Sequence, residues 1–152
     1  MQGEEKIRNL HLNGERRLGI LQSLSEIYSS IYEINLREDS FEELTYLAEV
    51  HEHIGSTGKA QERLIYFCNH MVLPKHRDDL MEFVDLSTLS ERLKESRVVS
   101  KDYINTLYVK PGEKEEETLW SRCSFVKGSV DEDGELTHVL FVNQNIHEEK
   151  SK

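Results

Sequence analysis

Two apolar segments near the carboxyl end flank an acidic turn, and residues 119–142 read LWSRCSFVKGSVDEDGELTHVLFV. The Asp-Gly pair that closes 131–134 favours the positive φ angles of a tight hairpin turn. We therefore predict a strand over 119–130 and a returning strand over 136–142. The four consecutive apolar residues at 139–142 would place apolar side chains on both faces of the sheet. A sheet of this kind needs a cover on each face.

Two further regions of the chain have strand character. Residues 30–37 and 41–46 alternate apolar and polar side chains, and residues 38–40 between them are typical of a turn, so we predict a β-hairpin. Residues 100–110 form another strand candidate, which Pro111 would end. Together with the carboxyl-terminal pair, these segments predict a five-stranded sheet.

Helical periodicity occupies the middle of the chain, over residues 47–96. The run GSTGK at 55–59 and the proline at position 74 interrupt this periodicity, which predicts several short helices rather than one long helix. We interpret 55–59 as a helix break, with Ser56 or Thr57 capping the helix that follows.

A stripe of apolar residues begins before the first predicted hairpin and overlaps its start. Its members recur at intervals of four, three and four residues, as on one face of a helix; they are Ile20, Leu24, Ile27 and Ile31. Residues 1–17 before the stripe are polar and predict an N-terminal arm or helical extension. A short stripe suits a helix that lies on the sheet or on a second copy of itself, so we predict a homodimer.

Composition limits the class of protein. The 152 residues carry 19 Lys and Arg against 29 Asp and Glu, a net charge of −10, which argues against nucleic acid and anionic membranes as partners. No apolar run approaches the roughly 20 residues that span a bilayer. Cys68 and Cys123 are too few for a disulfide framework. We therefore expect a single domain located in the cytoplasm.

The order of the predicted elements resembles that of the PAS fold, and particular segments carry the resemblance. Residues 21–36 look like the opening of PAS-like sensor modules of bacterial signalling proteins, and 83–93 look like their inter-helix segment. Residues 119–125, 131–134 and 139–150 are similar to their closing hairpin and exit. The resemblance implies an α+β domain, with a five-stranded antiparallel sheet, short helices on one face and an N-terminal helix on the other.

Modules of this family usually lie upstream of an output domain, commonly a GGDEF diguanylate cyclase or a histidine kinase. The resemblance therefore implies a non-catalytic sensor over residues 18–145, followed by an exit segment over 146–152 that leads to an output domain. Asn145 and Ile146 would mark the signal exit. The family usually carries an aspartate before this isoleucine, where Asn145 stands here.

Large side chains of the predicted sheet and inner helices are candidates for the wall of a small-molecule pocket. The candidates are Phe67, Cys68, Met71, Tyr103, Trp120, Arg122 and Phe125. Core packing explains the aromatic candidates better than a pocket does, because aromatic side chains dominate buried area. Arg122 would pair with an anionic ligand if its side chain points inward, and would be ordinary surface if it points outward.

No cofactor and no metal are predicted, and the identity of any ligand stays open. The GSTGK run fails the Walker pattern, because His53 replaces the earlier glycine and Ala60 follows the lysine. On a helix, His51 and His53 would point about 200° apart and could not share a metal ion. The residues around Cys68 do not match the flavin-adduct motif of PAS modules.

A second interpretation is a small α+β enzyme, a hydrolase or isomerase with a pocket under a curved sheet. Such an enzyme needs a histidine or carboxylate buried among aromatic side chains, and His138 is the candidate. The sequence contains no nucleophile elbow or other catalytic spacing. We therefore predict no catalytic residue and favour the sensor.

Overall fold

Six antiparallel strands form one sheet in the computed structural model, which describes residues 28–45, 57–106 and 120–146. The strands are β1 (Ser30–Asn35), β2 (Ser40–Thr45), β3 (Thr57–Lys59), β4 (Val98–Ile104), β5 (Trp120–Lys127) and β6 (His138–Asn145). They lie in the order β3-β2-β1-β6-β5-β4. Both predicted hairpins are present, and β6 lies between β1 and β5 in the middle of the sheet.

Short helices connect β3 to β4, as the interrupted periodicity predicts. They are α1 (Ala60–Met71), α2 (Arg77–Phe83) and α3 (Leu89–Arg92), with single 3₁₀ turns at Pro74–His76 and Leu86–Thr88. The buried residues of α1 recur at the spacing of one helix face and include Leu64, Phe67, Cys68 and Met71. None of the helices in the described ranges is long and apolar enough to cross a membrane.

The segment before α1 differs from the prediction. Thr57–Lys59 is a sixth strand, which pairs with β2 at the edge of the sheet, and the N-cap position of α1 is Lys59, whose side chain forms no capping hydrogen bond. The cap comes from the β1–β2 turn instead. The backbone N–H of Ala60 donates to the carbonyl of Asp39 at 3.1 Å, and that of Gln61 donates to its carboxylate at 2.8 Å. These bonds satisfy N–H groups that the first turn of a helix leaves open.

The sheet is apolar on both faces, as the run at 139–142 predicts. On the face toward the helices, an inner layer contains Tyr32, Ile34, Phe41, Tyr103, Cys123, Phe125, Val139 and Phe141, together with the buried residues of the helices. The opposite face carries an outer cluster of Tyr28, Ile31, Val126, Leu140 and Val142. Each member of the outer cluster is less than 10% exposed.

The structure corrects the prediction for Ile31, which the spacing assigns to the helical stripe. It lies in β1, opposite Val142 of β6, and its side chain is fully buried in the outer cluster. A β-branched side chain suits a strand. The spacing of four residues between Ile27 and Ile31 therefore does not mean that Ile31 belongs to a helix. The other stripe residues, Ile20, Leu24 and Ile27, lie outside the described residues, as do the arm over 1–17 and the exit beyond Ile146.

Candidate functional site

Aromatic rings fill the centre of the inner layer. The ring of Phe67 makes edge contacts with the rings of Tyr103 and Phe141, at centroid distances of 5.5 and 5.6 Å. The ring of Phe125 lies 5.0 Å from that of Phe141 and 5.3 Å from that of Phe83. These distances are typical of aromatic pairs in protein cores. Helices α1 and α2 are therefore packed on the sheet through a continuous set of ring contacts.

The structure brings together five of the seven predicted pocket residues. Phe67, Cys68, Met71, Tyr103 and Phe125 all belong to the inner layer and are fully buried. A cavity of about 10 Å³ lies within the inner layer, lined by residues that include Tyr32, Leu64 and Phe141. A cavity of this size holds about one water molecule. In this conformation, the inner layer is closed to a larger ligand.

Trp120 and Arg122, the other two candidates, lie elsewhere. Arg122 stands between inner-layer residues on β5, so its side chain projects from the outer face. There it donates two hydrogen bonds to the carboxylate of Asp102 on β4, at 2.6 and 3.2 Å. Trp120 is half-buried at the start of β5, and its ring lies 5.5 Å from the ring of His76. The structure therefore gives Arg122 the outward orientation that the sequence left open.

A buried polar chain crosses the inner layer near the end of β6. The hydroxyl of Tyr103 on β4 donates to the side-chain oxygen of Asn143 at 2.8 Å. The side-chain nitrogen of Asn143 donates to the hydroxyl of Ser30 on β1 at 3.2 Å. All three residues are at most 3% exposed. Because buried polar groups are costly without partners, this chain fixes the positions of three strands relative to one another.

One buried hydroxyl of the inner layer has no such partner. The phenol of Tyr32 makes no hydrogen bond, although its oxygen is buried. Burial, and secondarily the charge of Glu43, raise the pKa of Tyr32 above its ordinary value. The phenol therefore stays protonated at neutral pH and keeps an unused donor beside the small cavity.

Both cysteines are free thiols within the inner layer. Burial raises the pKa of Cys68 to about 12 and also raises the pKa of Cys123. The thiolate is the reactive form of cysteine, so neither side chain has the properties of a nucleophile.

We expect both thiols to resist thiol–disulfide exchange with Ellman's reagent in the folded protein at pH 8, with rates roughly a hundredfold or more below those in urea. Ellman's reagent measures the rates. A Ser90→Cys variant is the matched control, because position 90 is exposed on α3 and should add one fast-reacting thiol. Rapid reaction of two thiols in the folded wild-type chain would contradict the closed inner layer.

The predicted signal exit begins at the end of β6. Asn145 is the last residue of β6 and is exposed, whereas Ile146 is 4% exposed. The backbone N–H of Ile146 donates to the carbonyl of Trp120 at 3.0 Å, which extends the pairing of β6 with β5. The start of the exit is thus held on the sheet.

His138, the candidate of the enzyme interpretation, lies at the start of β6. Its ring is half-buried, and Nδ1 lies 2.9 Å from the hydroxyl oxygen of Thr137. No carboxylate of the described ranges hydrogen-bonds to it. The same part of the chain holds no group of three or more His, Cys, Asp or Glu side chains that could bind a metal ion.

A surface groove of about 340 Å³ was not anticipated from the sequence. It lies between α2, α3 and β4 and is lined by Asp79, Glu82, Phe83, Thr88, Arg92 and Lys101. No motif marks these residues, because they come from four separate elements. A sequence signal is limited to the charges themselves, which are common on any helix surface.

No protein-family model and no curated protein matches the chain. Among solved structures, it is similar to a sensory box histidine kinase/response regulator from Burkholderia thailandensis, with 10% identity, coverage of 86% of each chain and a TM-score of 0.49. It is also similar to the N-terminal domain of a diguanylate cyclase with PAS/PAC sensor from Marinobacter aquaeolei, with 14% identity, coverage of 79% of this chain and 96% of that one, and a TM-score of 0.44.

A sensory box sensor histidine kinase from Vibrio cholerae is similar as well, with 12% identity, coverage of 86% and 91%, and a TM-score of 0.43. The chain's own elements establish the fold. Two strands, a set of short helices and three further strands form one antiparallel sheet, with the helices packed on one face. The α+β, PAS-like fold that the resemblance implies is therefore confirmed, with one additional short strand at the edge of the sheet.

Proposed function

We propose that the chain is a non-catalytic sensor module of the cytoplasm, which forms a homodimer and passes a signal to a downstream output domain. The observation that carries the proposal is the position of β6. This strand lies in the middle of the sheet, with Phe141 and Asn143 in or against the inner layer and Leu140 and Val142 in the outer cluster. A change in packing on either face therefore acts on the strand that leads to Ile146.

The outer cluster supports an N-terminal cover on the second face of the sheet. Its residues are buried although they lie opposite the helices, and Ile31 at the start of β1 is among them. We propose that the helical stripe of Ile20, Leu24 and Ile27 lies on this cluster and pairs with the same segment of a second copy. Ile31 contributes to this packing as a strand residue.

The exit supports the direction of transmission. Asn145 and Ile146 follow the buried part of β6 directly, so a shift of β6 reaches them without an intervening loop. The proposed output domain is a diguanylate cyclase or a histidine kinase, and this part of the proposal rests on the sequence resemblance. The signal itself is a small molecule or a partner protein, and a small molecule in the inner layer would require that layer to open.

Charges placed on the stripe are expected to convert the dimer into a monomer. In the doubly substituted variant Leu24→Glu, Ile27→Glu, carboxylates replace two apolar contacts and repel their counterparts in the second copy. Light scattering after size exclusion measures the mass, which should fall from about twice the chain mass of 17.8 kDa to the chain mass.

Ser25→Glu is the control, because it adds one carboxylate next to the stripe without replacing an apolar residue and should leave the dimer intact. Circular dichroism of the double variant reports whether the fold survives. A double variant that stays dimeric, or a wild-type chain that is monomeric at micromolar concentration, would remove the proposed interface.

A further inference from the structure

The groove between α2, α3 and β4 has the size of a small-molecule site, and most of its wall is charged. Its volume of about 340 Å³ falls at the lower end of the range for ligand pockets. The groove is open to solvent, and its wall combines an aromatic ring, Phe83, with the hydroxyl of Thr88 and four charged side chains. It therefore offers what the closed inner layer does not, which is space next to polar groups.

Arg92 is the unusual member of this wall. Its guanidinium carbon lies 5.1 Å from the centre of the Phe83 ring, and one terminal nitrogen donates to the carbonyl of Phe83 at 2.6 Å. The Nε atom is buried and makes no hydrogen bond. No carboxylate within the described ranges forms an ion pair with this side chain.

The position of Arg92 points to an anionic partner. A guanidinium has five N–H donors in a fixed plane, and here only one hydrogen bond is formed. Burial lowers the pKa of Arg92, while the charges of Asp85 and Glu82 act in the opposite direction. The side chain has therefore lost water without gaining a hydrogen-bonded anion, and its ring contact and carbonyl bond hold it in place. A carboxylate matches such a fork with two parallel bonds.

The other charges of the groove restrict the ligand further. Lys101 Nζ lies 4.0 Å from the Asp79 carboxylate, and both side chains are well exposed, so this pair is weak and easily exchanged. Together with Arg92 and Glu82, the groove has two cations and two carboxylates. A simple anion would be attracted by the two cations and repelled by the two carboxylates. A molecule that carries both a negative and a positive charge a few bonds apart would pair with both sets of side chains.

We propose that this groove binds a small zwitterion of the α-amino acid class. The ligand's carboxylate pairs with Arg92 and Lys101, its ammonium group pairs with Asp79 and Glu82, and its side chain lies against Phe83. The site lies outside the closed inner layer. The inference rests on the proposed sensor function only for the consequence of binding, because binding itself can be measured on the isolated chain.

Isothermal titration calorimetry with a panel of ligands tests the proposal. The panel contains the standard α-amino acids, simple carboxylates without an ammonium group such as propionate and succinate, and amines without a carboxylate such as ethylamine. We expect at least one amino acid to bind with a dissociation constant below about 1 mM. Its matched carboxylate and amine should bind at least roughly tenfold more weakly.

Variants locate the binding. Arg92→Gln should weaken the binding of that amino acid at least roughly tenfold. Lys101→Gln, which alters a side chain that is 41% exposed, should weaken it severalfold and serves if Arg92→Gln misfolds. Arg97→Gln is the matched control, because Arg97 is exposed outside the groove and its loss should change nothing. Glu82→Gln should weaken the binding of the amino acid but not the binding of a simple carboxylate.

Three results would overturn the proposal: no amino acid binds, carboxylates or amines bind as well as amino acids, or binding survives both Arg92→Gln and Lys101→Gln. If no amino acid binds in the groove, the proposal of a dimer formed through the apolar stripe would still stand. Conversely, a monomeric wild-type chain that binds an amino acid in the groove would sustain the site and remove the proposed dimeric sensor.

Discussion

Replacement of Phe67 by alanine is expected to lower the free energy of unfolding by about 3–5 kcal/mol. The ring is fully buried and contacts the rings of Tyr103 and Phe141. Those rings stand on two different strands, so the sheet prevents them from moving together into the space that Phe67 leaves. Urea denaturation followed by circular dichroism measures the change.

Two further variants make this result interpretable. Ile65→Ala removes an apolar side chain from the same helix at a position that is 41% exposed, and should cost less than about 1 kcal/mol. Phe67→Leu keeps most of the apolar volume and should cost about 1–2 kcal/mol, which gives a measurable value if Phe67→Ala does not fold. Equal costs for Phe67→Ala and Ile65→Ala would show that α1 does not pack on the sheet through Phe67.

The strands that the sequence predicts are those whose side-chain pattern and turns agree with each other. The hairpins β1–β2 and β5–β6 have alternating or continuous apolar runs next to turn residues, so local chemistry specifies them. The short strand β3 has no such signal, because it has only three residues and two of them, Gly58 and Lys59, are depleted in strands. It forms because β2 has a free edge beside it.

The cap of α1 illustrates the same limit. Ser56 and Thr57 are good capping residues by type, and the sequence places them just before the helix. The structure uses Asp39 instead, which is 21 residues before Ala60 in the chain. A contact of this kind depends on the way in which the β1–β2 turn approaches the helix, which no local pattern records.

For the candidate site, alternation along β5 is the signal that could have placed Arg122. Cys123 and Phe125 are apolar, and a strand alternates its faces, so the residue before Cys123 points away from the helices. The groove at Arg92 could not be predicted in this way. Its residues come together only through the packing of α2 and α3 against β4, and their charges are ordinary on a helix surface.

Asn143→Leu is expected to lower the free energy of unfolding by about 2–4 kcal/mol, although it places an apolar residue in an apolar layer. The amide now accepts a hydrogen bond from the Tyr103 hydroxyl and donates one to the Ser30 hydroxyl. Leucine removes both bonds and leaves two buried hydroxyl groups without this partner. Urea denaturation measures the loss. Gln144→Leu, at the next residue and on the outer face of β6, should cost less than about 1 kcal/mol.

A double-mutant cycle separates the polar chain from simple misfit of the leucine side chain. Tyr103→Phe removes the donating hydroxyl and should cost about 1–2 kcal/mol by itself, because the Asn143 oxygen loses its bond. In the double variant, the hydroxyl that Asn143→Leu would orphan is already absent. The double variant should therefore lose about 1 kcal/mol less than the sum of the two single variants. Strict additivity would mean that Tyr103 and Asn143 are not coupled, and that β6 is not tied to β4 through their side chains. A measured coupling would establish that the strand leading to the exit is tied by a side-chain bond to β4, two strands away, so that a displacement of β4 acts on it.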